Sequence, residues 1–219
     1  LRAVLGTIGI FCNFYALSHM VLSDASMLNK LSPFFTLIFS YIFLKEKLSP
    51  FQCIAIVIAF IGSLFIIKPS FDLTATFPAL CGFIGGVCAG GAYTCVRYLG
   101  IKGEKGPFIV FFFSAFSCLA ALPYMIFFFK PMTLQQFLIL IGAGAGAAVG
   151  QFGITAAYKY APAREISIYD YTLVIFAAIW SFLFFGELPD WISILGYVLI
   201  FGMSALMFLY NNRHAESAK

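Results

Sequence analysis

The sequence predicts an all-α, polytopic membrane helix bundle with about eight transmembrane helices. Of the 219 residues, 62% are hydrophobic and only 10% are charged, whereas soluble domains carry roughly 25% charged residues. The mean hydropathy is +0.99. Nine acidic and thirteen basic side chains are too few to cover a soluble surface of this size, which excludes a soluble enzyme. The same hydrophobicity excludes a disordered chain.

Eight apolar segments are each long enough to cross the hydrocarbon core, which takes a helix of roughly 20 residues. Short connections rich in Pro, Gly and charged residues separate these segments, and none shows the strict alternation of a membrane β-strand. The connections are too short to form a catalytic domain outside the membrane. The predicted spans are 3–20, 24–44, 51–68, 77–97, 107–129, 134–158, 166–185 and 190–210.

Basic residues are concentrated on one side of the predicted bundle. When the spans alternate in direction, ten basic residues fall on the side that holds both chain ends, two fall on the other side, and Lys30 lies within a span. Short loops rich in Lys and Arg face the cytoplasm. The sequence therefore predicts a multi-pass protein of the cell (plasma or inner) membrane with both ends of the chain in the cytoplasm.

An internal repeat relates two parts of the chain. Segment 9–50 aligns without gaps with 150–191, with eight identical pairs that include Glu46 and Glu187, while Asn29 aligns with Asp170. An odd number of spans separates the copies, so they cross the membrane in opposite directions. Inverted repeats are typical of secondary transporters. The alternative is a chance match between two helical hairpins.

Short motifs surround the matched positions. In the first copy they are Ala16-Leu17-Ser18, Asp24-Ala25-Ser26, Leu31-Ser32-Pro33-Phe34-Phe35 and Phe43-Leu44-Lys45-Glu46-Lys47-Leu48-Ser49, and in the second Ala157-Tyr158, Val174-Ile175-Phe176 and Phe184-Phe185-Gly186-Glu187-Leu188. This pattern resembles the EamA-type repeat of the drug/metabolite transporter (DMT) superfamily, although Val174 stands where the family usually has proline. Family members usually have ten spans in two inverted repeats of five.

The resemblance covers nearly the whole chain and implies how it is divided. Residues 1–68 resemble the last three spans of a first repeat, 77–210 resemble a complete second repeat, and 211–219 are expected to form a cytoplasmic tail. The first two helices of the ten-span pattern are expected to be missing from the sequence.

The resemblance also implies a function. It implies secondary transport of a small polar metabolite, such as an amino acid, an amine or a sugar, by alternating access. The lipid bilayer and the solute are the expected partners, and a homodimer is left open. The alternative is an incomplete or non-transporting membrane component that needs a partner for the missing helices. Nucleic acid is not an expected partner, because the net charge of +4 is small and the basic residues are scattered along the sequence.

Polar side chains within the spans are the candidates for a solute cavity, because a charge at the bilayer centre costs roughly 2.5–3.5 kcal/mol. Lys30 and Asp170 are expected to be over ~10 Å apart along the membrane normal, so separate positions in one cavity are favoured over an ion pair. The alternatives are snorkelling for Lys30 and helix packing for the others. The candidate substrate-binding residues are Asn13, Asn29, Lys30, Gln151, Tyr169 and Asp170.

Two further features concern coupling and packing. Asp170 and His19 are candidates for proton coupling, with a solvated loop histidine as the alternative for His19. Two glycine series at four-residue spacing predict close approach of helices. These are Gly82, Gly86 and Gly90 in the fourth span and Gly142, Gly146 and Gly150 in the sixth.

No sequence motif of an enzyme is present. The chain has no Walker A loop, HExxH or GxSxG motif. Its six cysteines lie in apolar runs without a CxxC pair, and only two histidines occur. The sequence therefore predicts no enzymatic activity, no cofactor and no metal site.

Overall fold

A computed structural model describes residues 1–19, 22–67, 76–128, 131–185 and 190–216. Within these ranges the chain is helical and contains no strand, which confirms the predicted helix bundle. The helices are α1 (Arg2–His19), α2 (Leu22–Asn29), α3 (Ser32–Leu44), α4 (Pro50–Ile67), α5 (Thr76–Ile101), α6 (Gly106–Phe127), α7 (Leu134–Tyr160), α8 (Ala163–Ile166), α9 (Thr172–Phe185) and α10 (Trp191–Glu216), with a 3₁₀ turn at Ser167–Tyr171 between α8 and α9.

Four helices of the described ranges are long and apolar enough to cross a membrane without a break. They are α5, α6, α7 and the part of α10 from Trp191 to Tyr210, and α3 and α4 contribute shorter apolar helices. A helix pairs most of its polar backbone groups internally, as a lipid environment requires. The chain is a multi-pass membrane protein.

Two of the predicted spans are interrupted, at matching points of the repeat. Span 24–44 is divided into α2 and α3 at Lys30 and Leu31, and span 166–185 contains the 3₁₀ turn 167–171 before α9. Pro33 lies in the first turn of α3, where a missing N–H is tolerated, whereas in the middle of an unbroken helix it would remove a hydrogen bond. The repeat offset of 141 residues aligns Lys30 with Tyr171. The breaks of the two copies therefore coincide at this one aligned position.

Glycines set the close packing of α5 against α1, α2 and α3. A Cβ atom built on Gly90 would lie 2.6 Å from Phe35 Cβ and 2.8 Å from the Thr36 nitrogen. On Gly86 it would lie 2.8 Å from the Leu28 carbonyl oxygen, and on Gly82 2.8 Å from Leu28 Cδ1. Since no side chain fits at these distances, the first glycine series forms a contact face between helices.

The second glycine series differs from the prediction. No heavy atom of the described residues lies within 4 Å of a Cβ atom built on Gly142, Gly146 or Gly150. The predicted packing face on α7 is therefore not found within the described part of the chain. The spacing of small residues indicates a surface that permits close approach, but it does not determine which helix approaches.

Candidate functional site

The two helix breaks meet in the interior of the bundle. Lys30 Nζ donates a hydrogen bond to the carbonyl oxygen of Asp170 over 3.1 Å. Tyr171 Oη donates to the carbonyl oxygen of Lys30 over 3.2 Å. Lys30 is 9% exposed and Tyr171 is fully buried. Each break thus supplies a backbone acceptor to a side chain of the other break.

This contact corrects the expected separation of Lys30 from Asp170. The estimate of more than ~10 Å assumed straight helices that rise 1.5 Å per residue. Both helices are interrupted at these residues, and the Lys30 side chain lies along the interior instead of extending to the membrane surface. Snorkelling is therefore excluded for Lys30 by its burial of more than nine-tenths.

The Asp170 carboxylate accepts a hydrogen bond from a tyrosine whose ring stacks on a second tyrosine. Tyr158 Oη donates to Asp170 Oδ2 over 3.0 Å and lies 3.4 Å from Ser167 Oγ. The Tyr158 side chain is fully buried, and the Tyr93 ring stacks on it with 4.9 Å between ring centroids. This stack connects the second helix break to α5.

Tyr93 also lines a polar cavity of about 140 Å³ formed by α1, α2, α5, α6 and α7. Three of the predicted candidates, Asn13, Asn29 and Gln151, line this cavity together although they come from different parts of the sequence. The remaining lining is small or apolar, namely Gly6, Gly9, Ile10, Ala89, Ala92 and Phe113, with Arg2 as the charged member.

Arg2 is the cavity residue that sequence reasoning missed. Its position at the start of the first predicted span placed it among the basic residues of the cytoplasmic side, but the side chain is only 7% exposed. The guanidinium carbon lies 4.1 Å from the centre of the Phe113 ring. A Cβ atom on Gly6 would overlap Arg2 Nη1, so the absence of a side chain at Gly6 gives the guanidinium its space. No pattern in the sequence separates Arg2 from a loop cation.

Lys30 and Asp170 are not among the residues that line the cavity. They adjoin it instead, because Asn29 precedes Lys30 and the Tyr93 ring separates Tyr158 from the cavity. Tyr169 is 36% exposed and likewise lies outside the lining.

His19 is placed away from the cavity. It is exposed at the end of α1, where its ring stacks on Tyr15 with 4.2 Å between centroids. Its Nδ1 atom lies 2.8 Å from Ser18 Oγ and 3.0 Å from the Tyr15 carbonyl oxygen. These local contacts agree with the alternative of an exposed histidine.

Glu46 joins the two repeat copies at one end of the bundle. Its Oε1 atom accepts a hydrogen bond from Arg97 Nε over 2.8 Å, and its Oε2 atom accepts one from the backbone N–H of Ala163 over 3.2 Å. Arg97 Nη1 also donates to the Lys159 carbonyl oxygen over 3.2 Å. We call these four residues the Glu46 junction. The repeat partner Glu187 lies outside the described residues.

Comparisons with known proteins show which family and which relatives this chain resembles in sequence. The model of the EamA-like transporter family matches residues 1–68 and 76–209. The pseudopaline exporter CntI of Pseudomonas aeruginosa is 34% identical to the chain over 200 residues, which cover 91% of this chain and 70% of the exporter. Human solute carrier family 35 member G1 is 30% identical over 210 residues, which cover 90% of this chain and 58% of that protein.

A solved crystal structure supports the fold in particular. It superimposes with a TM-score of 0.83 over 95% of this chain and 76% of its own, at 17% sequence identity. At that identity the structural likeness shows the fold alone. The family match and the two relatives show to which family the chain belongs. The resemblance found in the sequence is thereby confirmed: the chain belongs to the EamA-like transporter family.

Proposed function

We propose that the protein is a secondary transporter that moves a small polar metabolite across the cell membrane by alternating access. The 140 Å³ cavity lined by Arg2, Asn13, Asn29, Tyr93 and Gln151 carries the proposal. Polar side chains are costly in lipid unless they pair or serve a solute path. The same side chains offer hydrogen-bond donors and acceptors to the uncharged and charged groups of amino acids, amines and sugars.

The helix breaks supply the moving parts of the proposal. Discontinuous helices near a midplane site are typical of transporters whose repeats rock against each other. Here the contacts across the breaks are single hydrogen bonds, from Lys30 to Asp170 and from Tyr171 to Lys30. A few such bonds can exchange partners at modest cost, since each contributes about 1 kcal/mol net. Asp170 is our proposed site for proton coupling, because its carboxylate lies beside both breaks.

Accessibility of the cavity from both sides tests alternating access. Asn29→Cys is introduced into a background in which the six native cysteines are replaced, and the full chain is reconstituted in vesicles. We expect a membrane-impermeant thiol reagent to modify this cysteine from either side, because each conformation opens the cavity to one solution. Val149→Cys, which is 73% exposed on the outer face of α7, should resist the reagent from both sides. Labelling of Asn29→Cys from one side alone would contradict alternating access.

Solute flux provides the second measurement. Vesicles that contain the full chain are loaded with unlabelled L-alanine, ethanolamine or D-glucose, and the uptake of the same labelled compound is followed. We expect saturable counterflow for at least one of the three, and none in vesicles without protein. Absence of counterflow for all three would favour the non-transporting component that needs a partner.

A further inference from the structure

Arg2 is a buried cation without a counter-charge. No hydrogen bond or ion pair joins its guanidinium to another residue in the described ranges, and Nε is fully buried without a partner. Arginine keeps its charge in proteins, and an unpaired buried charge is strongly unfavourable. The contact with the Phe113 ring offsets part of this cost through the cation–π attraction. The N–H donors of the Arg2 guanidinium remain available to an anion.

A second unpaired donor lies in the same cavity. The Nε2 atom of Gln151 is buried and has no hydrogen-bond partner among the described residues. Gln151 comes from α7 and Arg2 from the start of α1, and both line the cavity. Two residues with unpaired donors, from distant parts of the chain, thus line the same partly open cavity. Asn13 and Asn29 add amide groups to the same lining.

Among the residues that the structure describes, no acidic side chain lines the cavity. Arg2 is its charged member, and the other polar groups are the amides of Asn13, Asn29 and Gln151 and the hydroxyl of Tyr93. The carboxylate of Asp170, the acidic residue among the predicted site candidates, accepts a hydrogen bond from Tyr158, whose ring stacks on Tyr93. The cavity is therefore electropositive, and it disfavours cationic solutes.

We propose that Arg2 and Gln151 form a subsite that binds the carboxylate group of the transported solute. A planar guanidinium matches the two oxygens of a carboxylate with a pair of parallel hydrogen bonds, and the Gln151 amide adds a donor. The cavity of about 140 Å³ equals the volume of four or five water molecules at ~30 Å³ each. It fits a small carboxylate or the carboxylate end of a larger solute. This inference rests on the transport function proposed above and narrows its substrate class.

Equilibrium binding to the full chain in detergent tests the subsite. The probes are carboxylates with their uncharged amides: propionate and propionamide, L-lactate and L-lactamide, N-acetyl-L-alanine and its amide. We expect the carboxylates to raise the thermal unfolding temperature in a saturable manner, with at least tenfold higher affinity than the amides. Equal binding of both members, or no binding of any carboxylate, would overturn the proposal.

Variants then assign the binding to the two donors. Arg2→Gln should weaken carboxylate binding at least tenfold, Arg2→Lys should weaken it less, and Gln151→Leu should weaken it severalfold. Lys102→Gln removes an equal charge from the exposed end of α5 and should leave the affinity unchanged. If Arg2→Gln does not give a folded protein, Gly6→Ala decides, because its methyl group overlaps Arg2 Nη1 and the edge of the Phe113 ring and so displaces the guanidinium, while every polar side chain is kept. Unchanged affinity in the folded variants would overturn the assignment.

Binding and transport fail in distinguishable ways. If the carboxylates bind but the vesicles show neither counterflow nor two-sided labelling, the transport function is wrong while the subsite stands. If a solute is transported equally well by the wild type and by Arg2→Gln, the subsite is wrong while the transport function stands.

Discussion

Lys30 and Tyr171, which the predicted repeat aligns with each other, are in contact in the buried interior of the bundle. The Tyr171 hydroxyl donates to the Lys30 carbonyl over 3.2 Å, and the Lys30 amine donates to the carbonyl of Asp170, which precedes Tyr171, over 3.1 Å. The exchange is nearly symmetric although the residue types differ. Each break therefore depends on the other for the pairing of its backbone.

Removal of one of these donors should destabilise the bundle. We expect Tyr171→Phe to lower the free energy of unfolding by about 1–3 kcal/mol, because a buried acceptor loses its partner. The thermal midpoint of the detergent-solubilised protein, followed by size-exclusion chromatography after heating, measures this change. Tyr41→Phe is the matched control, since Tyr41 is 60% exposed and should leave the midpoint unchanged. Equal midpoints for both variants would show that the contact across the breaks contributes nothing.

Asp170 should be required for flux. Asp170→Asn keeps the size of the side chain and removes its charge, and we expect it to abolish counterflow while leaving expression intact. The carboxylate accepts a hydrogen bond from the Tyr158 hydroxyl inside the bundle. Loss of the carboxylate therefore affects both the proposed proton site and the aromatic stack beside the cavity. Glu104→Gln neutralises an exposed loop carboxylate and should transport normally. Normal flux in Asp170→Asn would remove Asp170 from the site.

The predicted topology can be read from the outside of intact cells. In a background without native cysteines, Lys47→Cys and Lys102→Cys should be protected from an impermeant thiol reagent, because the excess of basic residues places both in the cytoplasm. Met132→Cys, in the connection before α7, should react. External labelling of either lysine position would reverse the assigned orientation.

Two glycines from similarly spaced glycine series should respond oppositely to an added methyl group. Gly90→Ala brings Cβ to within 3 Å of the backbone of α3, and we expect a loss of about 1–3 kcal/mol from overpacking. Gly142→Ala meets no described atom within 4 Å, and it should be neutral or slightly stabilising, since alanine favours helices by roughly 0.5–1 kcal/mol over glycine. Thermal midpoints of the two variants compare them directly, and a Gly142→Ala variant as unstable as Gly90→Ala would contradict the packing described.

The Glu46 junction should contribute more stability than a neighbouring surface ion pair. The side chains of Arg97 and Glu46 are 17% and 11% exposed, and Glu46→Ala removes the acceptor of two hydrogen bonds. We expect a loss of about 2 kcal/mol or more, because hydrogen bonds to charged groups contribute roughly 1.5–3 kcal/mol each. Glu165→Ala breaks a pair whose side chains are about one-third exposed, with 3.9 Å between Arg164 Nε and Glu165 Oε1, and it should cost less than ~1 kcal/mol. A smaller effect at Glu46 than at Glu165 would refute the junction.

The sequence predicted the helical bundle because apolar length and flanking polar residues are local properties. The same holds for the first glycine series, whose face meets α2 and α3 as expected. Asn13, Asn29 and Gln151 could be selected as candidates because an amide within an apolar span is conspicuous, and the structure brings the three to one cavity.

What the sequence could not predict depends on three-dimensional placement. The contact between Lys30 and Asp170 requires two broken helices. If both helices were straight, the two residues would lie at different depths in the membrane and could not touch. Pro33 indicated the first break, but the second copy has Val174 at that position. Arg2 could not be distinguished from a loop cation, because only the packing of α5 and α6 against α1 encloses it.

The missing side chain at Gly6 has a consequence for how this protein acquires or loses preferences among solutes. The buried guanidinium occupies the space left open at Gly6 and lies against the Phe113 ring, and it has no hydrogen-bond partner in the described ranges. One methyl group at Gly6 would move the guanidinium while every polar side chain of the cavity lining is kept. If the cavity binds solute as we propose, a substitution at Gly6, which adds no polar group to the lining, would change which molecules are accepted.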